Sequence, residues 1–304
     1  MHGAAGPRAG VGFIRKFQAM AEVGADIIHR SATMSIPLVI QGRPVVLPER
    51  LTMGQLRDLH KPGADVLIAD GAVVEPSHMP GPGSVVTLIR RGETPSQDEL
   101  EACMVARHTP GVHAVLQRAT VGIAGLGGLG SSVAVALARI GVGRLVLADF
   151  DVVEPSNLNR QQYFVDQIGM LKTEALAANL RRIQPHGGPV LHATRVTPSN
   201  VATLFGQVDV MVEAFDQADQ KLMLLESFTQ SFPGVPYVGA SGLAGHGDES
   251  TVRVHRAGSS VFIVGDLASA AQPGRGLMAP RVGIAAHMQA NLVVRLLLGE
   301  VSAR

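Results

Sequence analysis

A short apolar run, Val121-Gly122-Ile123-Ala124, leads straight into Gly125-Leu126-Gly127-Gly128-Leu129-Gly130 and then into a helical stretch, Ser131–Ile140. Glycines at this spacing between a strand and a helix permit a tight turn and let a phosphate approach the backbone. The helix N-terminus adds unpaired N–H groups and the positive end of a dipole. The chemistry implied is nucleotide binding; a tight turn without a ligand is the alternative. A second strand ends at Asp149-Phe150-Asp151. That is close to the ~20-residue spacing at which an acid meets a ribose hydroxyl. Up to this point a nicotinamide-dependent oxidoreductase reads the same way.

The next residues separate the two readings. Glu154-Pro155-Ser156-Asn157-Leu158-Asn159-Arg160-Gln161-Gln162 clusters amides and a guanidinium just past the ribose acid. A triphosphate needs such groups and a dinucleotide does not. Arg160 can neutralise phosphate oxygens with its fork of donors, while Asn157 and Gln161 can orient them. Lys172 supplies a further cation at the start of the next helix. Asp216 follows directly after another strand, Val208–Val212. Ligands of open parallel sheets bind beyond the carboxyl ends of the strands, so Asp216 is expected to face the same crevice as Gly125 and Asp149. A hard carboxylate there suits Mg²⁺ bridging phosphates; capping the next helix is the simpler role.

These residues need an alternating scaffold to hold them. Strand patterns at Thr120–Ala124, Arg144–Ala148, Val190–Ala193, Val208–Val212 and Tyr237–Ala240 alternate with helices at Ser131–Ile140 and Thr173–Ile183. That order predicts an α/β domain with a doubly wound, Rossmann-like parallel sheet over residues 119–304. The apolar stretch Val282–Leu298 is broken by His287, Gln289, Asn291 and Arg295, as in a half-buried helix. Upstream, strands Ile36–Ile40, Val45–Leu47, Val66–Ala69 and Val85–Ile89 surround a helix at Leu51–His60. The β-β-α-β-β order over residues 35–92 resembles a ubiquitin-like β-grasp domain, in particular the sulfur carriers of the thiamine pathway. Residues 93–118 read as a polar helical connector. Residues 1–34, with a short amphipathic stretch at Phe13–Ile28, read as a disordered extension or as sequence upstream of a true start at Met34.

Composition sets the outer bounds. The 304 residues are 46% hydrophobic and 17% charged, with a formal net charge of +1. This balance provides no electrostatic footprint for nucleic acid or an anionic membrane. Two tyrosines and no tryptophan leave few platforms for stacking bases. No apolar run approaches the roughly 20 residues of a membrane span. The single cysteine, Cys103, excludes an intrachain disulfide and a Cys-rich zinc site and is compatible with a reducing cytoplasm. It reads as a partly buried helix residue. Among the eleven histidines no metal-ligand spacing is evident, and His108 and His113 are expected to face solvent.

Taken together, Gly-x-Gly-Gly-x-Gly, then Asp-Phe-Asp-x-Val-x-x-Ser-Asn-Leu-Asn-Arg-Gln, then Asp216-Gln217 where Asp-Asn is usual, resemble the ThiF/MoeB/ubiquitin-activating superfamily of adenylyltransferases. The resemblance runs from about Val115 to Gly299. Gly239-Ala-Ser-Gly-Leu-Ala-Gly245 and Gly276-Leu-Met-Ala-Pro-Arg-Val-Gly283 look most like a short ThiF subgroup of thiamine biosynthesis. The family implies that Gly125, Gly127, Gly128 and Gly130 line ATP and that Asp149 or Asp151 holds the ribose. It implies that Asn157, Arg160, Gln161 and Lys172 contact phosphates and that Asp216 is the catalytic, Mg²⁺-linked aspartate. The reaction implied is adenylation of the C-terminal carboxylate of a separate sulfur-carrier protein ending in Gly-Gly, in the cytoplasm, by a homodimer. Members commonly add an arginine from a dimer mate, for which Arg107 is the candidate. A molybdopterin-type or other small carrier, an NAD-dependent oxidoreductase, and a non-catalytic nucleotide-binding module are the rival readings.

This chain also departs from its relatives. It lacks the two Cys-x-x-Cys pairs with which many of them hold zinc, so no zinc is expected. Cys103 lies outside the nucleotide core, so adenylation is expected to be the end of the chain's own chemistry. The carrier-like domain has no free Gly-Gly, because Leu88-Ile-Arg-Arg-Gly92 runs on into Glu93. It is expected to dock or regulate rather than be adenylated.

Overall fold

The computed structural model describes residues 35–301. The extension and the stretch Phe13–Ile28 fall outside the described residues. The chain divides into two compact units, with the boundary between Glu93 and Thr94.

The first unit holds strands β1 (Ile36–Ile40), β2 (Arg43–Leu47), β3 (Val66–Ala69), β4 (Ala72–Val73) and β5 (Val85–Ile89), with helix α1 (Met53–His60). Alternation in β1 buries Ile36, Leu38 and Ile40 on one face. Gln41 and Gly42, both at positive φ, close the β1–β2 hairpin. The α1 start is a capping box: Thr52 and Gln55 satisfy each other's backbone N–H groups. The sheet order is β2-β1-β5-β3-β4, with β1 and β5 parallel at its centre. Met53 and Leu56 of α1 join Leu38, Leu67, Val86 and Leu88 in one small core. The short β4 is a strand that the sequence pattern does not announce, since both of its residues are exposed.

The second unit begins with α2 (Gln97–Arg107) and α3 (Val112–Leu116). These helices form the segment read as a helical connector, and from Thr94 on it belongs to the second unit. Leu116 is buried in the large core, and its carbonyl accepts the N–H of Gly143. Then follow β6 (Thr120–Ala124), α4 (Gly128–Arg139), β7 (Arg144–Ala148), α5 (Lys172–Arg181), β8 (Val190–His192) and α6 (Val201–Phe205). The chain continues with β9 (Val210–Glu213), α7 (Ala218–Ser231), β10 (Tyr237–Ala240), β11 (Arg253–Arg256), β12 (Val261–Gly265) and α8 (Ala279–Leu297). The sheet order is β11-β12-β10-β9-β6-β7-β8. All pairs are parallel except β11 with β12. Successive strands run outward from β6 in one direction and then, from β9, in the other. The doubly wound sheet expected from the sequence is thus present, with its switch point between β6 and β9.

Strands of such a sheet are apolar on both faces. Val121 and Ile123 of β6 and Leu145 and Leu147 of β7 pack in one core, which α4 and α8 cover. Ala124, Val146, Ala148 and Met211 pack in another with Phe205 and Phe228. β11 and β12 lie beyond the strands anticipated, although Val261-Phe262-Ile263-Val264 is the kind of continuous apolar run that marks a buried strand. α4 begins three residues earlier than its apolar periodicity indicates, because Gly128 already has helical pairing. Among the described residues no helix is long and apolar enough to cross a membrane.

Candidate active site

The glycine turn sits where β6 enters α4. Gly125 has φ +85, and a Cβ there would lie 2.8 Å from the carbonyl oxygen of Ala214, so both conformation and space require glycine. At Gly130 an added Cβ would overlap the Gly125 carbonyl oxygen. This glycine seats the helix against its own turn. Gly127 is the N-cap of α4 and makes no side-chain cap bond, so the first turn of the helix opens towards the crevice without a protein cap.

Asp149, at the end of β7, ties that strand to the turn. Its carboxylate accepts the N–H of Leu126 at 2.6 Å and the N–H of Asp151 at 2.8 Å. It is only 8% exposed, and burial pushes its pKa up against the opposing pull of those two amides and Lys172. Asp151 is half exposed and pairs with Lys172 Nζ at 2.9 Å. The Tyr163 hydroxyl donates to the Leu126 carbonyl at 2.8 Å, bracing the turn from below. Burial holds that phenol protonated far above neutral pH.

These groups border a cavity of about 630 Å³ at the carboxyl ends of the strands, within the usual range for a small-molecule site. Gly125, Gly127, Gly128, Asp149, Asp151, Arg160, Gln161, Lys172 and Asp216 all line it. Gly130 and Asn157 do not. Gly130 packs inside the turn. The Asn157 amide is turned into its own loop, where its oxygen accepts the Glu154 N–H at 3.0 Å and its NH₂ meets Ser156 Oγ. Asn157 therefore shapes the loop that presents Arg160 and Gln161 rather than reaching the cavity. The Arg160 guanidinium is steadied by the Ser156 carbonyl at 3.2 Å and Asn159 Oδ1 at 2.8 Å. Gln161 is buried with its Oε1 lacking a partner among the described residues. Asp216 is exposed and makes no hydrogen bond or ion pair within the described chain. It is not the helix cap either, since the N-cap of α7 is Gln217.

Two further lining residues, Arg195 and Lys221, carried no signal in the sequence pattern. Arg195 lies 4.0 Å over the Phe150 ring, a cation–π pair on the cavity's β8 side. Glu213, at 2% exposure, is the last residue of β9 and supports the cavity floor. Burial raises its pKa against the pull of Lys221 and two backbone N–H groups. Lys221 pairs with it at 2.8 Å and lines the cavity with Ser241.

The far wall depends on another buried charge. Arg281, 4% exposed at the start of α8, donates to the carbonyls of Gly247 and Asp248 and to Thr251 Oγ1, and pairs with Asp266 at 2.7 Å. Burial works against the Asp266 charge, but the Ser269 hydroxyl, the N–H groups of Ser269 and Ala268, and Arg281 hold its carboxyl well below the usual carboxylate range. Ser269 and Ala270 of that wall line the cavity. Arg281→Ala strands these partners, and breaking a buried pair costs about 3–5 kcal/mol. Urea unfolding should register that loss; a change below about 1 kcal/mol would refute the assigned role.

Other candidates stand apart from the cavity. Arg107 is exposed in the last turn of α2 and does not line it. Cys103, read as partly buried, is exposed. His113, expected at the surface, is 4% exposed, with its ring 5.6 Å from that of His108. The side-chain-free Gly141 makes room for the His113 ring. Among the described residues no group of three or more His, Cys, Asp or Glu is placed to hold a metal ion.

The family model for the ThiF family matches residues 103–304, about two thirds of the chain. The chain belongs to the ThiF family. Similar curated proteins include the adenylyltransferase and sulfurtransferase MOCS3 of Xenopus laevis, 33% identical over 142 residues, or 46% of this chain and 31% of that protein. Another is the adenylyltransferase and sulfurtransferase UBA4 of Saccharomyces cerevisiae, 28% identical over 205 residues, 64% of this chain and 46% of that protein. The chain thus spans a third to a half of the length of these relatives. Among solved structures, the tRNA N6-threonylcarbamoyladenosine dehydratase TcdA of E. coli in complex with ATP superposes with a TM-score of 0.61 at 21% identity, covering 68% of this chain and 98% of that one. At that identity the likeness establishes the ThiF fold.

Proposed function

We propose that this chain uses ATP to adenylate the C-terminal carboxylate of a separate ubiquitin-like sulfur-carrier protein ending in Gly-Gly, in thiamine (thiazole) biosynthesis. The observation that carries the proposal is the convergence of Arg160, Lys172 and Asp216 with the uncapped glycine turn on one cavity. The glycine turn and first turn of α4 would receive phosphate oxygens, and Asp149 and Asp151 the ribose. The Phe150–Arg195 stack offers a flat, cationic flank for the base. The carrier carboxylate is ionised near neutral pH and needs no strong base. It attacks the α-phosphorus of ATP and forms an acyl-adenylate, and pyrophosphate departs. The protein aligns the reactants and neutralises charge with Arg160 and Lys172. A carboxylate such as Asp216, unpaired among the described residues, suits Mg²⁺, which keeps most of its ligands as water and phosphate; when bound, the ion would neutralise charge on the departing pyrophosphate.

The motifs at Gly239–Gly245 and Gly276–Gly283 and the β2-β1-β5-β3-β4 unit that precedes the ThiF region support the thiamine assignment. We read that first unit as ubiquitin-like and as a docking or regulatory module, because its Gly92 carboxyl group is in a peptide bond. A second reading, which the adenylyltransferases MOCS3 and UBA4 support equally, is activation of a molybdopterin-type or other small carrier. A homodimer is the expected assembly.

The deciding experiment is ATP–pyrophosphate exchange with and without Gly-Gly-ended carriers of each kind, followed by mass spectrometry. Carrier-dependent exchange and an adenylate on the separate carrier are expected. Adenylate on the fused chain itself would overturn the docking role. Nicotinamide binding without exchange would instead indicate an oxidoreductase.

A further inference from the structure

The cavity is lopsided in charge. Of the four Lys and Arg residues that line it, Arg160, Lys172 and Arg195 follow β7 or β8, on one side of the glycine turn. On the other side, beyond β9, the lining consists of small or uncharged residues such as Ser241, Gly242, Ser269 and Ala270, with one carboxylate, Asp216, and one cation, Lys221. Arg281 lies behind that wall and is committed to Asp266 and the 247–251 loop.

Lys221 is held unusually firmly for a lysine at a cavity edge. It projects from the first turns of α7, and its Nζ donates to Glu213 Oε1 at 2.8 Å and to the Ala240 carbonyl at 2.9 Å. Glu213 in turn is fixed by the N–H groups of Phe215 at 2.7 Å and Ala240 at 3.4 Å. An ammonium has three donors. Two are assigned, and the side chain retains 26% exposure towards the cavity. The third donor is thus available to a group entering from the β10 side, opposite the Arg160–Lys172 side and next to Asp216.

We propose that Lys221 is the residue that receives the attacking carboxylate of the second substrate, with Glu213 as the positioning residue that aims it. The inference rests on the adenylation reading above and adds where the carboxylate is held. Glu213 and the Ala240 carbonyl remove two of the three directions in which the ammonium could donate. The lysine therefore meets an incoming anion in a set orientation, without the entropy loss of ordering a free side chain. Nucleotide phosphates are served from the opposite side of the turn, so removing Lys221 should separate the two substrates.

The test uses the full chain with a non-hydrolysable ATP analogue and a synthetic peptide ending in Gly-Gly, as the free acid and as the C-terminal amide, titrated by calorimetry or NMR. Wild type should prefer the acid at least about tenfold, the scale of one hydrogen bond to a charged group. Lys221→Gln should reduce that preference to below about twofold, Lys221→Arg should keep it, and affinity for the ATP analogue should stay within about twofold in both. Because Lys221→Gln leaves Glu213 buried without its partner, the double variant Glu213→Gln/Lys221→Gln provides a neutral pair if the single variant fails to fold; it too should lose the preference. An acid preference that survives in Lys221→Gln or in the double variant, equal binding of acid and amide by wild type, or a parallel loss of nucleotide affinity overturns the proposal. Failure of the adenylation reading is seen separately: wild type would distinguish acid from amide yet catalyse no carrier-dependent exchange.

Discussion

Asp216→Ala should lower carrier-dependent pyrophosphate exchange at least about 100-fold, the scale for losing a key electrostatic contact in a catalytic site. The structure makes this a clean experiment. Asp216 is exposed, caps no helix and pairs with nothing among the described residues, so its removal costs no contact of the folded state. The melting temperature should therefore hold while the rate collapses. Arg160→Ala is expected to produce a loss of the same size. Its guanidinium gives up only the Ser156 carbonyl and Asn159 Oδ1, both on its own loop. Exchange within a few-fold of wild type in either variant, in protein shown to be folded, would remove that residue from the mechanism.

The second large effect separates two glycines three residues apart. Gly130→Ala places a methyl group on the Gly125 carbonyl and within 3.2 Å of Ala214 Cβ. The obstacle is backbone, which cannot rotate aside, so the turn must open. Overpacking of this kind costs about 1–3 kcal/mol, occasionally more, and the displaced N–H groups should weaken ATP binding tenfold or more. Gly127→Ala meets nothing closer than Gln161 Nε2 at 3.8 Å. Its stability should remain near that of wild type, whereas the new methyl group, on the open side of the turn, should still weaken ATP binding. Denaturant midpoints and nucleotide titrations of the two variants test the difference. Equal stability of the two would mean that Gly130 does not seat the helix; undiminished ATP affinity in Gly127→Ala would mean that phosphate does not approach there.

Much of the ThiF fold and half of the cavity can be read in contiguous residues. The strand–glycine turn–helix, the Asp149 and Asp151 strand end, and the Arg160 loop are local features. Their backbone demands, a positive φ at Gly125 and close packing at Gly130, are met by residue types a few positions apart. Continuous apolar runs marked the parallel strands, because a sheet covered on both faces buries nearly every residue of its strands, and period-3.6 spacing marked the long α8. Boundaries slipped by one to three residues where pairing continued past the apolar pattern, as at Gly128 and Glu213. Exposure of β4 and polar flanks around β11 left those strands without a signal.

What the sequence by itself determined is therefore which groups are present and the order in which the chain delivers them: a glycine turn after β6, Asp149 and Asp151 after β7, Arg160 in the following loop, Lys172 at the start of α5 and Asp216 after β9. Only the tertiary structure decided which side chains face the cavity and which support it. Asn157 turns into its loop, His113 is buried beside Gly141, and residues 94–118 belong to the second unit. Lys221 meets the carbonyl of Ala240, 19 residues away, and Gln289 reaches the Glu213 carbonyl across 76. The reason is physical. Backbone conformation depends on neighbours in the chain, whereas the direction of a polar side chain depends on which partner shares its burial, and that partner is brought there only when the sheet closes.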